Sequence, residues 1–384
     1  MLFLNLLFLL PTNIAKELII KKATRKIKKF PRLITIGITG SYGKTSTKEF
    51  LSTILSEKFK VLKTEGNVNT PIGVAMTILK NLKKEHEIFV CEMAAYKKGE
   101  VKKICKITKP KIGIVCGLNE QHLALFGSME NLISGEGGKE LIESLPEDGL
   151  VIFNGENEIL RKIYKETKLR KKIVGKQNKN FDLFAANIKV KKEVLFFQVF
   201  SKEGEIADFN LKLIGEQNIE TILLAACCAM EFGMNLKEIS KACQKITQDQ
   251  TGIKLIKTKS GFNVLDATYS ANPNSVLSHL DYLKVWEGKR AILMPCLIEL
   301  GPKSREIHQK IGKKIKEVCH LAIIVTKDYF KEIKKEAGEK AVFLEDPKKI
   351  LEKLLQFKEK NDIVLLEGRL PKNLTKLILN GTFN

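Results

Sequence analysis

Acidic residues are scarce in this chain: 44 Asp and Glu stand against 66 Lys and Arg in 384 residues, a formal charge of +22. Such a surplus favours anionic partners, but the lysines are spread along the whole chain in runs such as "KKATRKIKK" and "KKIKE". They read as solvated faces, and nucleic-acid binding is not expected. The sequence also lacks a CxxC pair. Its eight cysteines (91, 105, 116, 227, 228, 243, 296 and 319) lie mostly inside apolar runs and read as buried thiols in a reducing cytosol. There is no internal repeat and no low-complexity tract. No apolar stretch approaches the ~20 residues of a spanning helix: "MLFLNLLFLL" is cut short by Pro11 and the polar residues after it. That stretch has no positive charge before it and no small-residue cleavage site after it, which excludes an ordinary signal peptide. Three readings stay open for residues 1–30: a partly inserted anchor backed by the basic segment Lys21 to Lys29, the stub of a longer membrane region, or a helix packed on the body.

What is present, at 44% hydrophobic content, suits packed cores. From Leu33 onward short apolar runs alternate with helical patterns, which predicts parallel sheets with crossover helices. "LITIGI", "EIFVCEM", "KIGIVCG" and "LVIFN" read as buried strands, with helices over "KTSTKEFLSTILSEKF", "KKGEVKKICKI" and "MENLISGEGGKELIESL". Residues 184–213 alternate apolar and polar around the turn "KEGE", which predicts an antiparallel ribbon or an edge addition. Two helices follow, then a polar linker, "TQDQTG". A second alternation runs from "FNVLDA" through "RAILMPC", "LAIIVT" and "AVFLE" to "DIVLLEG". The fold class is therefore α/β: a central phosphate-loop domain with a parallel sheet over residues 31–250, and a Rossmann-like, doubly wound domain over residues 251–384.

Directly after the first predicted strand comes "TGSYGKTSTKEF", residues 39–50. A strand, a glycine turn and a helix in this order make an anion site: Gly40 and Gly43 let the backbone N–H groups and the helix N-terminus face a phosphate. Lys44 would reach the β- and γ-phosphates and the Thr45 hydroxyl would ligate magnesium, with Thr39, Ser41, Tyr42 and Ser46 completing the loop. The general pattern GxxxxGK[ST] is not met, since Ile38 stands where its first glycine belongs. The form "TGSxGKT" resembles Mur ligases and folylpolyglutamate synthetases instead.

The resemblance continues in order. "EGNVNTPIG" is similar to the loop before the family's second helix, which implies that Asn67, Asn69 and Thr70 face nucleotide and substrate. Glu92, ending a strand, matches the family's magnesium-binding glutamate, and ligands of such sheets gather at the carboxyl ends of strands. "NEQHLALFGSMENLISGEGGKE" resembles the segment whose histidine serves a second magnesium, here His122. Fourteen residues past it, where many relatives carry a carbamylated lysine, stands Glu136. An encoded carboxylate can take the place of the carbamate; Lys139, three residues on and near the same helical face, is the competing candidate. "LIGEQNIETILLAA" corresponds to the adenine segment, with Gln217 in place of the usual histidine and Asn218 at the adenine-contacting asparagine, although an asparagine there is equally a good helix cap. "LDATYSANPNS" implies that Asp266 and Asn272 close over ribose and base, with Tyr269 nearby. "IELGPKSREIH" is similar to the D-alanyl-D-alanine-adding branch.

The resemblance implies an ATP- and Mg2+-dependent ligase that joins a peptide-bearing carboxylate acceptor to the amine of an amino acid or dipeptide, working in the cytoplasm as a monomer; the anchor reading of residues 1–30, one of the three left open, would add peripheral contact at the inner face of the membrane. Three departures bear on substrate. The sugar-nucleotide domain that usually precedes the phosphate loop is expected to be absent, since the loop begins at residue 39. Near the end, "LLEGRLP" places Glu367 and Arg369 where relatives often have K-G-S, and Lys254 is the only cation near the family's missing arginine. Rival readings are a folylpolyglutamate-synthetase-like ligase and a degenerate nucleotide-binding module of a membrane-associated complex.

Overall fold

The computed structural model describes residues 2–259, 261–269 and 271–380, with the side chains of residues 2–12 and 380 left out. Nine strands form the first sheet: β1 (Ile34–Thr39), β2 (Val61–Lys63), β3 (Ile88–Glu92), β4 (Ile112–Val115), β5 (Leu150–Asn154), β6 (Arg170–Lys176), β7 (Leu183–Val190), β8 (Leu195–Ser201) and β9 (Ile206–Leu211). Their order is β2-β3-β1-β4-β5-β6-β7-β8-β9. Pairing is parallel as far as β7, and β8 and β9 add as an antiparallel ribbon. The central strands are sealed on both faces, so their residues divide by parity between two cores: Ile88 and Val90 pack on one side, Phe89 and Cys91 on the other. In β8 buried positions alternate with half-buried ones, as a sheet with one covered face requires.

The second sheet comprises β10 (Lys254–Lys257), β11 (Asn263–Ala267), β12 (Arg290–Met294), β13 (Leu321–Ile324), β14 (Ala341–Phe343) and β15 (Ile363–Glu367), in the order β10-β11-β15-β12-β13-β14. Only β10 runs antiparallel. Leu265 and Ile292 face one core, Val264 and Ala291 the other. This second unit is the Rossmann-like α/β domain expected from the alternation.

Three strands escape the sequence reading. β2 has three residues, and β6 and β10 are rich in lysine and arginine, so none shows an apolar run. The single helix expected over "MENLISGEGGKELIESL" is two, Met129–Gly135 and Lys139–Ile142. Gly138, at φ 87°, breaks it: a Cβ there would lie 2.6 Å from Val115. The break turns Lys139 outward, where it is exposed, while Glu136 is sealed.

A helix over Leu2–Ile27 precedes β1. Ile20, Ala23 and Ile27 join the apolar core beneath the helices Pro71–Asn81 and Glu100–Thr108, and Lys26 Nζ donates to the Leu79 carbonyl (2.9 Å). The packed-helix reading therefore describes residues 20–27. The side chains of the apolar run itself lie outside the described residues. No helix among the described residues is long and apolar enough to cross a membrane.

Ala23 is fully sealed. Ala23→Asp places an unpaired carboxylate there at a cost on the order of 3 kcal/mol, so hydrogen exchange should show lost protection over residues 20–27 with β1 unchanged.

Candidate active site

β1 lies between β3 and β4, the point where the chain changes direction across the first sheet, and crevices open at such points. The loop leaving β1 sits in that crevice. Gly40 approaches Gly117 so closely that a Cβ would come 2.9 Å from its carbonyl oxygen, and Ser41 N–H donates to that same oxygen (2.6 Å). Gly43 adopts φ 81° before the helix Lys44–Leu55, and no side chain caps that helix. Its first N–H groups are thus left to a ligand, and the helix dipole favours an anion there. Lys44 Nζ folds back onto the carbonyls of Gly40 and Ser41. Tyr42 packs its ring against Gly117, where a Cβ would lie 2.3 Å from it, and burial pushes the phenol well above its usual pKa. Burial likewise pushes the Cys116 thiol, which also lines the crevice, up to about 12, leaving it unreactive.

A buried carboxylate stands on each flank of the loop. Glu92, at the end of β3, accepts from Thr45 Oγ1 (3.2 Å) and Asn69 Nδ2 (3.0 Å) through one oxygen and from Lys48 Nζ (3.2 Å) through the other. Lys48 is fully sealed, one turn after Lys44. Sequence reading did not single it out; the signal was a lysine on a helix face otherwise made of core residues. On the other flank Glu136 accepts from Ser41 Oγ (2.7 Å), and its second oxygen lies 2.8 Å from His122 Nδ1. The loop, the histidine and the carboxylate thus form one chain of contacts.

Asn119 is a second residue that sequence reading did not single out. Its N–H donates to Ser41 Oγ (3.2 Å), and its Nδ2 donates to Asn272 Oδ1 and Asn274 Oδ1 (both 3.0 Å) in the second domain. Gln121 adds a bond to the Ala271 carbonyl (3.2 Å), and Ser278 donates to Gln217 (3.0 Å). Glu299, held at φ 66°, accepts from Ala124 N–H (3.0 Å) and places its carboxylate 4.0 Å from His122 Nε2.

Between the domains lies a cleft of about 1320 Å3, roomier than the roughly 300–1,000 Å3 of a single-ligand pocket. Ser41 to Ser46, Asn67, Asn69, Glu92, His122, Asn218, Lys254, Asp266 and Asn272 all line it. Several have local duties as well. Asn218 donates to the Ile214 carbonyl (2.8 Å), Asp266 accepts from Thr268, and Lys254 pairs with Asp249 (2.6 Å). Asn272 caps the helix Pro273–Leu283. Thr70 caps the helix Pro71–Asn81 and does not line the cleft; Thr39 Oγ1 is sealed without a partner among the described residues.

Comparison with known proteins adds to this geometry. Residues 38–229 match the Mur ligase middle domain, and residues 253–370 match the Mur ligase, glutamate ligase domain. Over 282 residues the chain is 32% identical to the UDP-N-acetylmuramoyl-tripeptide–D-alanyl-D-alanine ligase of Escherichia coli (strain K12), covering 73% of this chain and 62% of that protein. The Bacillus subtilis (strain 168) protein of the same name is 28% identical over 279 residues, 72% and 59% of the two. The chain thus spans about three fifths of these relatives. A solved structure, the MurF ligase of Thermotoga maritima in complex with ADP, superposes with a TM-score of 0.80 at 25% identity, covering 92% of this chain and 80% of that one.

If Lys48 balances Glu92, Lys48→Met should destabilise the chain by about 3–5 kcal/mol, and adding Glu92→Gln should recover most of the loss in thermal unfolding. Additive losses would show that the two do not depend on each other.

Proposed function

We propose a reaction from one premise: the chain belongs to the Mur ligase family. It is an ATP-dependent ligase that activates a carboxylate on a peptide-bearing cell-wall precursor as an acyl-phosphate and joins it to the amine of an amino acid or of D-alanyl-D-alanine. The observation that carries this reading is a single phosphate loop with a buried carboxylate anchored on each flank, Glu92 through Thr45 and Glu136 through Ser41.

The open amides of the loop and the Lys44 ammonium bind the β- and γ-phosphates, Lys44 exchanging its carbonyl contacts for phosphate oxygens. An oxygen of the acceptor carboxylate attacks the γ-phosphorus in line, and the bond to the ADP oxygen breaks. The amine nitrogen then attacks the acyl carbon, the carbon–phosphate oxygen bond breaks, and the amine gives up a proton as the amide forms. Asn119, Asn272 and Asn274 hold the second domain over the cleft and keep water from the acyl-phosphate.

The oxygen donors Thr45 and Glu92 suit a hard cation and would hold one Mg2+; on the other flank the Glu136 carboxylate with a ring nitrogen of His122 would hold a second. Bound there, the ions would draw charge off the phosphate oxygens. On this reading Glu136 supplies by encoding the carboxylate that relatives obtain by carbamylating a lysine; its burial beside His122, against the exposed position of Lys139, supports it over that competing candidate. Asn67 and Asn69 face the acceptor side, Asn218 and Asp266 the nucleoside, and Lys254 the closing edge.

Phosphate release from ATP should require both a carboxylate and an amine substrate. Lys44→Ala and Glu136→Ala should each lower it by about 100-fold or more. Stripping dissolved CO2 should leave the native chain unaffected; a loss of activity would show that a carbamate is used after all.

The same reading makes the chain a monomer in the cytoplasm, resting on the inner face of the membrane through its first helix, where Ile14 and Leu18 are exposed beside Lys21, Lys22 and Arg25. The chain should sediment with vesicles containing anionic lipid, and Ile14→Glu with Leu18→Glu should weaken this. Equal binding by the variant would remove the helix from that role.

A further inference from the structure

His279 and Glu367 form a contact that the proposed reaction does not use. Glu367 ends β15 and is completely sealed; His279 lies in the helix Pro273–Leu283 and is 4% exposed. Glu367 Oε2 is 2.7 Å from His279 Nδ1, and Oε1 has no partner among the described residues. The other ring nitrogen, Nε2, also has none among them, yet the ring lines the cleft. His308 makes the contrast: it is sealed too, but Nε2 accepts from Leu297 N–H (2.9 Å) and Nδ1 contacts the Ser304 carbonyl (2.6 Å).

The charge on the pair decides what Nε2 offers. A lone negative charge sealed at Glu367 is disfavoured, and burial does push its carboxyl pKa up. Two arrangements avoid that charge: an ion pair of imidazolium and carboxylate, or a neutral imidazole beside a protonated carboxyl. In both, the shared proton lies between Nδ1 and Oε2, and the second proton sits on Nε2. The atom left for the cleft is therefore a donor.

Two residues beyond Glu367, past a tight turn at Gly368 (φ 71°), Arg369 also lines the cleft. It is exposed and makes no ion pair among the described residues. A guanidinium without a carboxylate and an N–H held by a buried glutamate both suit an anionic oxygen.

Resting on the ligase reading for what enters the cleft, we propose that His279 Nε2 and Arg369 form an anion subsite on the second domain, with Glu367 as the positioning residue that fixes the imidazole. Two sources share the chemistry it takes: a phosphate oxygen of the nucleotide and the carboxylate of the incoming amino acid or dipeptide.

The test uses the full chain, with calorimetric binding of ADP and of D-alanyl-D-alanine alongside steady-state kinetics. Arg369→Ala and His279→Phe should each weaken one ligand by about tenfold, the value of a charge-assisted hydrogen bond, and leave the other unchanged. Weaker ADP binding identifies the phosphate; weaker dipeptide binding, with a matching rise in its KM and little change in kcat, identifies the carboxylate. Glu367→Gln, whose amide oxygen can still meet Nδ1–H, should keep most of the affinity, whereas Glu367→Leu should behave like His279→Phe. Unchanged binding of both ligands by Arg369→Ala overturns the proposal, as does equal weakening of both, even if the His279 variant fails to fold. Because binding is read without turnover, an inactive chain that still shows selective weakening would count against the ligase reading and leave the subsite standing.

Discussion

Glu136 carries a carboxylate into a place sealed from solvent, and the arrangement around it follows from the need to satisfy its oxygens. Ser41 of the phosphate loop answers one and His122 the other. A sealed carboxylate that lost either partner would be costly, so the loop and the histidine are held in mutual register. Asn119 extends the same linkage by bonding Ser41 with its backbone and the second domain with its side chain. One buried charge thereby ties the phosphate site, its flank and the facing domain into a single unit.

The opposite flank is organised differently. Glu92 already has a cation, Lys48, together with two neutral donors, Thr45 and Asn69. It is thus compensated within the protein, whereas Glu136 is answered by a hydroxyl and an imidazole. The two carboxylates have unequal electrostatic backing, so a divalent ion would gain more on the flank of Glu136, where no lysine competes for the oxygens.

Much of this was legible in the sequence, and the parts that were not share a cause. Buried parallel strands announce themselves as apolar runs, so β1, β3, β4 and β5 and most of the second sheet could be read directly. Edge or lysine-rich strands such as β2, β6 and β10 carry no such run. The phosphate loop is local, and glycine spacing suffices to find it. The carboxylate fourteen residues past His122 could be located by counting, but its burial, against the exposure of Lys139, depends on the helix breaking at Gly138, which answers to the close approach of Val115 from another strand. Asn119 and the partnership of His279 with Glu367 are tertiary facts: each side chain is ordinary in its own segment and becomes informative only when a distant one is set beside it.

Beside the phosphate loop, several of the hydrogen bonds between the two domains join uncharged groups: Asn119 with Asn272 and Asn274, Gln121 with the Ala271 carbonyl, and Ser278 with Gln217. In a chain of net charge +22, the approach of an anionic ligand would be sensitive to ionic strength. The amide clasp is not, since screening acts on charges and leaves neutral dipoles at contact distance nearly untouched. Salt thus acts on how fast the cleft fills and hardly on this amide clasp, while the contacts of Lys192 with Asn361 and Trp286, and of His122 with Glu299, give closure a charged component of its own.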